Sequence, residues 1–334
     1  MNKNEFNAFQ PAGSLFMVGL PGTDLDESTK ELIADYGIHN FIIFRRNVRD
    51  RGQLAGLCRD LRQFCIENDL PAPIIAVDHE GGSVCRLPES FTVLPSAREM
   101  GDSADPEAMI RKYAAVSARE LKEVGINMNL APVLDVCPAG EGYFMESRSL
   151  GGDPPRVAEL GSLIVRESRK RGLAACGKHF PGLGSAVLDP HRYLPVIYRS
   201  RESIQNEDLL PFRKAADNGL SAFMTSHVLY KDLDPGKPAT LSPFIVNDLL
   251  RDFLGYQGMV ISDDLEMGAI EEGQTVAVAS VEALKAGIDL LLICHDHDKV
   301  RASYKAVVRD SDLILGDKIQ NSLQRQRKLF ADLL

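Results

Sequence analysis

Short runs of Val, Ile, Leu, Met and Ala recur along the whole chain, and each is followed by a longer segment with helical periodicity. The runs predict strands at residues 15–19, 40–44, 74–77, 128–134, 173–177, 222–224, 259–261 and 290–293. Helices are predicted between them at 50–67, 106–124, 154–171, 206–218, 242–253 and 276–286. Ser242-Pro243 and Asp153-Pro154 each set a capping side chain before a first-turn proline. Strand and helix in alternation make βα units, and eight of them suggest a closed barrel. No Gly/Ser/Pro-rich linker or repeat divides the chain. The expected fold is therefore α/β, a single (β/α)8 TIM-type barrel over residues 1–334, closed by a C-terminal helix at 311–334.

Composition adds size and charge. The 334 residues are 44% hydrophobic and 25% charged, enough to bury a substantial core. Net charge is -9 and the longest basic run is Arg169-Lys170-Arg171, which argues against nucleic acid or an anionic membrane as a partner and for small-molecule chemistry. Six cysteines (Cys58, Cys65, Cys85, Cys137, Cys176, Cys294) show no CxxC pair, and several sit in apolar runs. They read as reduced core residues, not as disulfides or a zinc site. The polar start Met1-Asn2-Lys3-Asn4-Glu5-Phe6 and the lack of 18 uninterrupted apolar residues point to a cytoplasmic protein without a membrane span.

Polar residues at the carboxyl ends of the predicted strands carry the functional signal. Asp78-His79-Glu80 follows the third, Asp135 the fourth, Lys178-His179 the fifth, Ser226-His227 the sixth, Asp263-Asp264 the seventh and His295-Asp296 the eighth. In a (β/α)8 barrel these ends ring one mouth, where the active site lies. After Lys178-His179 a glycine-rich loop, able to approach a ligand closely, leads to Asp189-Pro190-His191. Proline favours an extended backbone before it, so Asp189 and His191 face one side and can hydrogen-bond. A carboxylate beside an imidazole orients the ring and raises its proton affinity, which suits a group that donates and then accepts a proton near neutral pH. A surface ion pair is the plainer alternative. Of Asp263 and Asp264, adjacent on a strand, one faces the pocket and the other can cap the next helix; local pattern leaves open which.

Four motifs in order carry a resemblance to a known family: Val77-Asp78-His79-Glu80-Gly81-Gly82, Asn129-Leu130-Ala131-Pro132-Val133-Leu134-Asp135-Val136, Lys178-His179-Phe180-Pro181-Gly182 and Ser262-Asp263-Asp264-Leu265-Glu266-Met267. The chain resembles the family-3 glycoside hydrolases, in particular the bacterial β-N-acetylglucosaminidases (β-hexosaminidases) of cell-wall recycling, from Leu15 to Asp296. The resemblance implies that Asp263 is the nucleophile, with Asp264 structural, and that His191 paired with Asp189 is the acid/base. It places sugar binding on Asp78, Arg86, Arg148, Lys178 and His179; position at the mouth makes His227 a further pocket residue, and His79 is read as peripheral. The residue types suit a sugar: carboxylates accept from neighbouring hydroxyls, and Arg and Lys donate to hydroxyl and ring oxygens. Leu183 and Pro190 depart from the commonest family pattern, which has His and Ser or Thr there; both concern loop shape. The sandwich-like second domain of many members is not found within the 334 residues, which points to the compact N-acetylglucosaminidase subgroup.

The resemblance implies a retaining exo-hydrolase that removes terminal non-reducing β-N-acetylglucosamine from peptidoglycan turnover fragments (muropeptides), with no cofactor and no metal. A phosphorylase is the alternative, because an imidazole acid/base does not repel incoming phosphate as a carboxylate would. A metal-dependent hydrolase would use His79, His179, His227 and Asp263, but the sole HxH, His295-Asp296-His297, follows the eighth strand and not the first. Retention of Asp263 and His191 disfavours a sugar-binding barrel without catalysis.

Overall fold

The structure, a computed structural model, describes residues 10–331 apart from Glu89, with the side chains of 311–316 excepted. The polar N-terminal segment and the last three residues of the expected closing helix lie outside the described residues.

The buried runs form strands β1 (Phe16–Gly19), β2 (Asn40–Ile43), β3 (Ile75–Val77), β4 (Met128–Asn129), β5 (Ala174–Phe180), β6 (Ala222–Thr225), β7 (Met259–Asp264) and β8 (Leu290–Ile293). Each pairs in parallel with the strand before and after it, and β1 pairs with β8, so the sheet closes as the expected eight-stranded barrel. Alternation along each strand sorts the side chains. Met17, Ile42, Ala76, Met128, Cys176, Met224, Ile261 and Leu292 fill the interior. Phe16, Val18, Phe41, Val77, Phe223, Val260 and Leu291 pack outward under the helices.

Strand lengths differ from the sequence reading where chemistry resides. β4 stops at Asn129 instead of 134, because Pro132 has no N–H to give the ladder. The chain still runs beside β5, with the carbonyls of Ala131 and Pro132 accepting from the amides of Cys176 (3.0 Å) and Lys178 (3.1 Å). β5 and β7 each extend three residues past their expected ends. Those extensions carry Lys178, His179, Asp263 and Asp264.

Helices α1 (Glu27–Tyr36), α2 (Arg51–Glu67), α3 (Pro106–Glu123), α4 (Pro154–Lys170), α5 (Leu209–Asp217), α6 (Phe244–Phe253), α7 (Val276–Ala286), α8 (His297–Arg309) and α9 (Ser311–Ala331) surround the barrel. Asp153 caps α4 through the amide of Arg156. The helix expected at 206–218 starts earlier, at Arg201, and passes through a wide turn at Ile204–Asp208. Pro211 has no amide to return to Glu207, and the wide turn accommodates that gap. α1 and α8 were not foreseen, although Asp26 and Asp296 cap them. No helix among the described residues is long and apolar enough to cross a membrane.

Helix α9 closes the end of the barrel opposite the mouth. Leu329 and Phe330 pack on the interior cluster, and Gln326 donates to the Ser14 carbonyl at 2.8 Å. Asp289, fully buried just before β8, meets Arg251 and Arg325 at 2.7 Å each, with Lys318 at 3.8 Å. It also accepts from the Val260 amide at 3.0 Å. Asp289→Ala would strand those cations, so the variant is expected to lose about 3–5 kcal/mol in urea unfolding. A loss below about 1 kcal/mol, the range of surface pairs, would show the cluster to be incidental.

Candidate active site

Strand ends and loops at the carboxyl end of the barrel enclose a cavity of about 340 Å3. Asp78, Arg86, Arg148, Lys178, His179, His191 and Asp263 line it. Asp189 stands behind His191, and His227 is not among the lining residues.

The cavity floor is a buried ionic network. Ala174 and Cys176 face the barrel interior, and the same alternation turns Lys178 inward. Its Nζ donates to Asp78 Oδ1 at 2.6 Å and reaches Glu80 Oε1 at 2.7 Å. Arg148 clasps Glu80 with two hydrogen bonds, 2.9 and 2.7 Å. Arg86 approaches Asp78 at 3.7 Å. Burial alone would raise the Glu80 pKa, but Lys178 and Arg148 hold it well below the usual carboxylate range. Burial likewise opposes the charge of Lys178, and Asp78 and Glu80 reverse the effect, so the lysine stays protonated.

Asp135, at the end of the β4 segment, organises the neighbouring loop. It accepts from His179 Nδ1 at 2.8 Å and from the amides of His179 (3.1 Å) and Leu183 (2.6 Å). With Nδ1 so engaged, Nε2 is the nitrogen His179 can offer a ligand. Leu183, one of the two departures from the family pattern, is therefore seated by its backbone.

The β7–β8 register pairs Ile261 with Leu290 and Asp264 with Leu292, three residues against two. This bulge re-aims the strand end, so Asp263 and Asp264 both line the cavity. The expectation that only one faces the pocket is corrected. Burial would raise the Asp263 pKa, but His179, His227, the Asp264 amide (2.9 Å) and His191 hold it below its ordinary value. Burial pushes Asp264 the other way, and the charges of Glu266 and Asp263 add to it against hydrogen bonds from the Glu266 amide and the Cys294 thiol; its pKa stands at about 7. His295 Nε2 lies 3.5 Å from its Oδ2.

The expectation that His227 lines the pocket is also corrected. Its Nε2 donates to the Asp264 carbonyl at 2.9 Å and its Nδ1 meets the Thr240 hydroxyl at 2.8 Å, which occupies both nitrogens. Only 1% of the residue is exposed, and burial lowers its pKa. It holds the backbone of the bulged strand end.

His191 Nδ1 lies 2.7 Å from Asp189 Oδ1, and its amide donates to the same oxygen at 2.9 Å. The Asp189 carbonyl accepts from the amides of Arg192 and Tyr193. The pair is thus made by a side-chain-capped turn and not by the extended backbone inferred from Pro190. Burial raises the Asp189 pKa, but the bonds to His191 outweigh it and the carboxyl is held low. The His191 side chain is 60% exposed, with its ring 6.2 Å from that of Phe144.

Phe44, Phe144 and Cys294, which line the cavity, escaped the sequence reading, whereas Glu80, Asp135 and His295 were marked as strand-end residues without being given a role in the site. Glu80 was legible as the residue two beyond Asp78 on an extended stretch, hence on its face. Phe144 lies in a loop without periodicity and left no signal. Among the described residues no group of three or more His, Cys, Asp and Glu side chains is placed to hold a metal ion.

An ionised carboxylate and an imidazole lining one cavity, above a floor of hydrogen-bonding cations at a barrel mouth, suit the chemistry of a glycoside hydrolase. The chain belongs to glycosyl hydrolase family 3, whose N terminal domain matches residues 12–329. A beta-hexosaminidase of Thiobacillus denitrificans is 36% identical over 285 residues, 84% of this chain and 77% of that protein. One from Pseudomonas aeruginosa is 36% identical over 297 residues, 89% and 87% of the respective chains. Among solved structures, the family 3 beta-N-acetylglucosaminidase from Paenibacillus superposes with a TM-score of 0.94 at 36% identity, covering 97% of this chain and 62% of that one. NagZ from Neisseria gonorrhoeae, in complex with N-trifluoroacetyl-D-glucosamine, does so at 0.80 and 29%, covering 96% and 98%. This chain therefore spans less than two thirds of the Paenibacillus protein and nearly all of the Neisseria one.

The raised Asp264 pKa has a stability signature. Unfolded, the carboxyl ionises near pH 4; folded, at about 7. Between those values the folded chain holds a proton that the unfolded chain lacks, so the stability contributed by this group falls as pH rises through the window. Asp264→Asn is expected to melt at a higher temperature than wild type at pH 8 and to lose that advantage at pH 4. Parallel Tm–pH curves would show Asp264 ionised throughout.

Proposed function

We propose that this barrel is the catalytic domain of an exo-β-N-acetylglucosaminidase that hydrolyses terminal non-reducing β-N-acetylglucosamine with retention of configuration. The observation that carries the reading is the buried, ionised Asp263 in the same cavity as His191. The beta-hexosaminidase relatives and the N-acylated glucosamine bound by the Neisseria protein support the sugar.

In the first step Asp263 attacks the anomeric carbon while protonated His191 donates to the leaving oxygen, giving a glycosyl-enzyme. Water then attacks that carbon as neutral His191 takes its proton, and Asp263 is released. Asp189 binds Nδ1, which leaves Nε2 of His191 to move the proton. Asp78 accepts from sugar hydroxyls, and Arg86, Arg148, Lys178 and His179 donate to them. Glu80 holds Lys178 and Arg148 in place. The family resemblance of the motifs supports peptidoglycan fragments such as N-acetylglucosaminyl-β-1,4-anhydro-N-acetylmuramic acid as substrates, in a cytoplasmic setting.

A chromogenic N-acetylglucosaminide, assayed beside glucoside and xyloside analogues, tests the sugar. In phosphate buffer, sugar 1-phosphate in place of free sugar would establish a phosphorylase. Asp263→Asn is expected to lower turnover by a factor on the order of 10^4 while staying folded. A 2-fluoro sugar should label Asp263; an adduct on another residue, or none, would overturn the assignment.

His191→Ala is expected to slow disaccharide cleavage far more than the glycosylation step with an activated aryl glycoside, whose leaving group needs little protonation. The adduct should then accumulate, and azide should release it. Asp78→Ala and Arg148→Ala should each lower kcat/KM at least about tenfold, the scale of one charged hydrogen bond. Wild-type kinetics in either would remove that residue from the site.

A further inference from the structure

The segment that carries His191 leans on the turn that follows the nucleophile strand. The Gly268 amide donates to the His191 carbonyl at 3.0 Å, and the Ala269 amide donates to the Pro190 carbonyl at 3.2 Å. Both amides open the short helix Gly268–Glu271, where a helix has no internal acceptor for them. On either side, the loop is held next by the carbonyls of Ala186 and Pro195, which bond the amides of Phe144 and Leu229. Between those two anchors, the bonds from Gly268 and Ala269 fix the backbone of residues 190 and 191.

The approach is close as well as bonded. A Cβ at Gly268 would stand 2.6 Å from the Arg192 carbonyl oxygen, 2.8 Å from its carbon and 3.0 Å from its Cα. All three are backbone atoms, so a side chain there moves the loop instead of a rotamer. The φ of Gly268 is not in the left-handed region, so alanine is excluded by its neighbour and not by its own backbone.

The supporting turn is itself pinned. Leu265 donates to the Leu292 carbonyl at 2.9 Å. The Glu266 carboxylate accepts from the amides of Cys294, His295 and Asp296 at 2.9, 2.6 and 3.1 Å.

We propose that Gly268 and Ala269 are positioning residues, whose amides and missing side chain seat the 189–192 turn so that His191 stands over the cavity beside Asp263. The proposal rests on the reading of His191 as acid/base. One strand end then locates both chemical groups: it carries Asp263, and five residues later it supports the backbone of His191.

Gly268→Ala tests it beside wild type and His191→Ala. Displacement of a proton donor by about 1 Å costs on the order of 100-fold. Disaccharide turnover by Gly268→Ala should fall about tenfold to a hundredfold, whereas glycosylation by an activated aryl glycoside changes less than about threefold. Inhibition by free N-acetylglucosamine, which does not need the loop, should stay at wild-type strength. In hydrogen exchange, the Gly268 and Ala269 amides should be protected in the wild type and exposed in the variant.

If His191→Ala discriminates between the two substrates and Gly268→Ala does not, the positioning role falls and the acid/base reading stands. Indifference of His191→Ala to the leaving group would sink both. Free exchange of the two amides in the wild type would overturn the proposal without reference to any variant, including one that failed to fold.

Discussion

A charged lysine at the bottom of a protein cavity exists only if its charge is answered, and the site of this barrel is built around that requirement. Lys178 is 2% exposed, and its partners Asp78 and Glu80 come from the connection after β3, two strands away around the mouth. Glu80 in turn fixes Arg148, from the long connection after β4. Loops that share no secondary structure are thereby joined by desolvated charge. Such a network is a poor source of net stability, because desolvation offsets most of the attraction, but breaking one member leaves others buried and unpaired. Its effect is to give the end of β5 and the connections after β3 and β4 one arrangement, with hydrogen-bonding groups already turned toward the cavity.

Above that floor, two neighbouring carboxyls are driven apart in proton affinity by what surrounds them. Asp263 collects imidazoles and an amide and stays ionised, while Asp264, buried against Glu266 and Asp263, holds its proton toward neutral pH. Side by side and both ionised they would repel each other strongly in a low dielectric. The proton on Asp264 removes that repulsion, and the bulge allows both to reach the cavity without it. His227 completes the arrangement by holding the Asp264 carbonyl.

Much of this was legible in the residues, and the parts that were not share a physical origin. Periodicity located every barrel strand, because burial on both faces imposes continuous apolar runs. Polar residues at their ends marked the mouth, and the Ser262-Asp263-Asp264 motif marked β7. A bulge leaves no trace in hydropathy, since it is a mismatch between two strands and each alone looks regular; hence alternation admitted only one of Asp263 and Asp264 to the pocket. His227 occupies a strand end like His179 does, and only the partners of its nitrogens separate a supporting ring from a lining one. The Asp189–His191 pair was read from the right residues through the wrong backbone: a proline restrains the residue before it, while the carboxylate's own hydrogen bond to the amide two residues on selects a turn. Helix α8 was missed although both its cap and its buried stripe of Val300, Tyr304, Val307 and Val308 stand in the sequence.

The closure of the barrel has a bearing on how the chain comes to be folded on a ribosome. β1 completes its pairing only with β8, and Ser14, which precedes β1, is bonded by Gln326 near the far end of α9. A nascent chain therefore carries an open sheet with two unpaired edges until β8 has emerged. Open edges and uncovered apolar faces invite association with other chains. The interval between synthesis of β7 and release of α9 is the period in which this polypeptide most depends on being shielded from its neighbours.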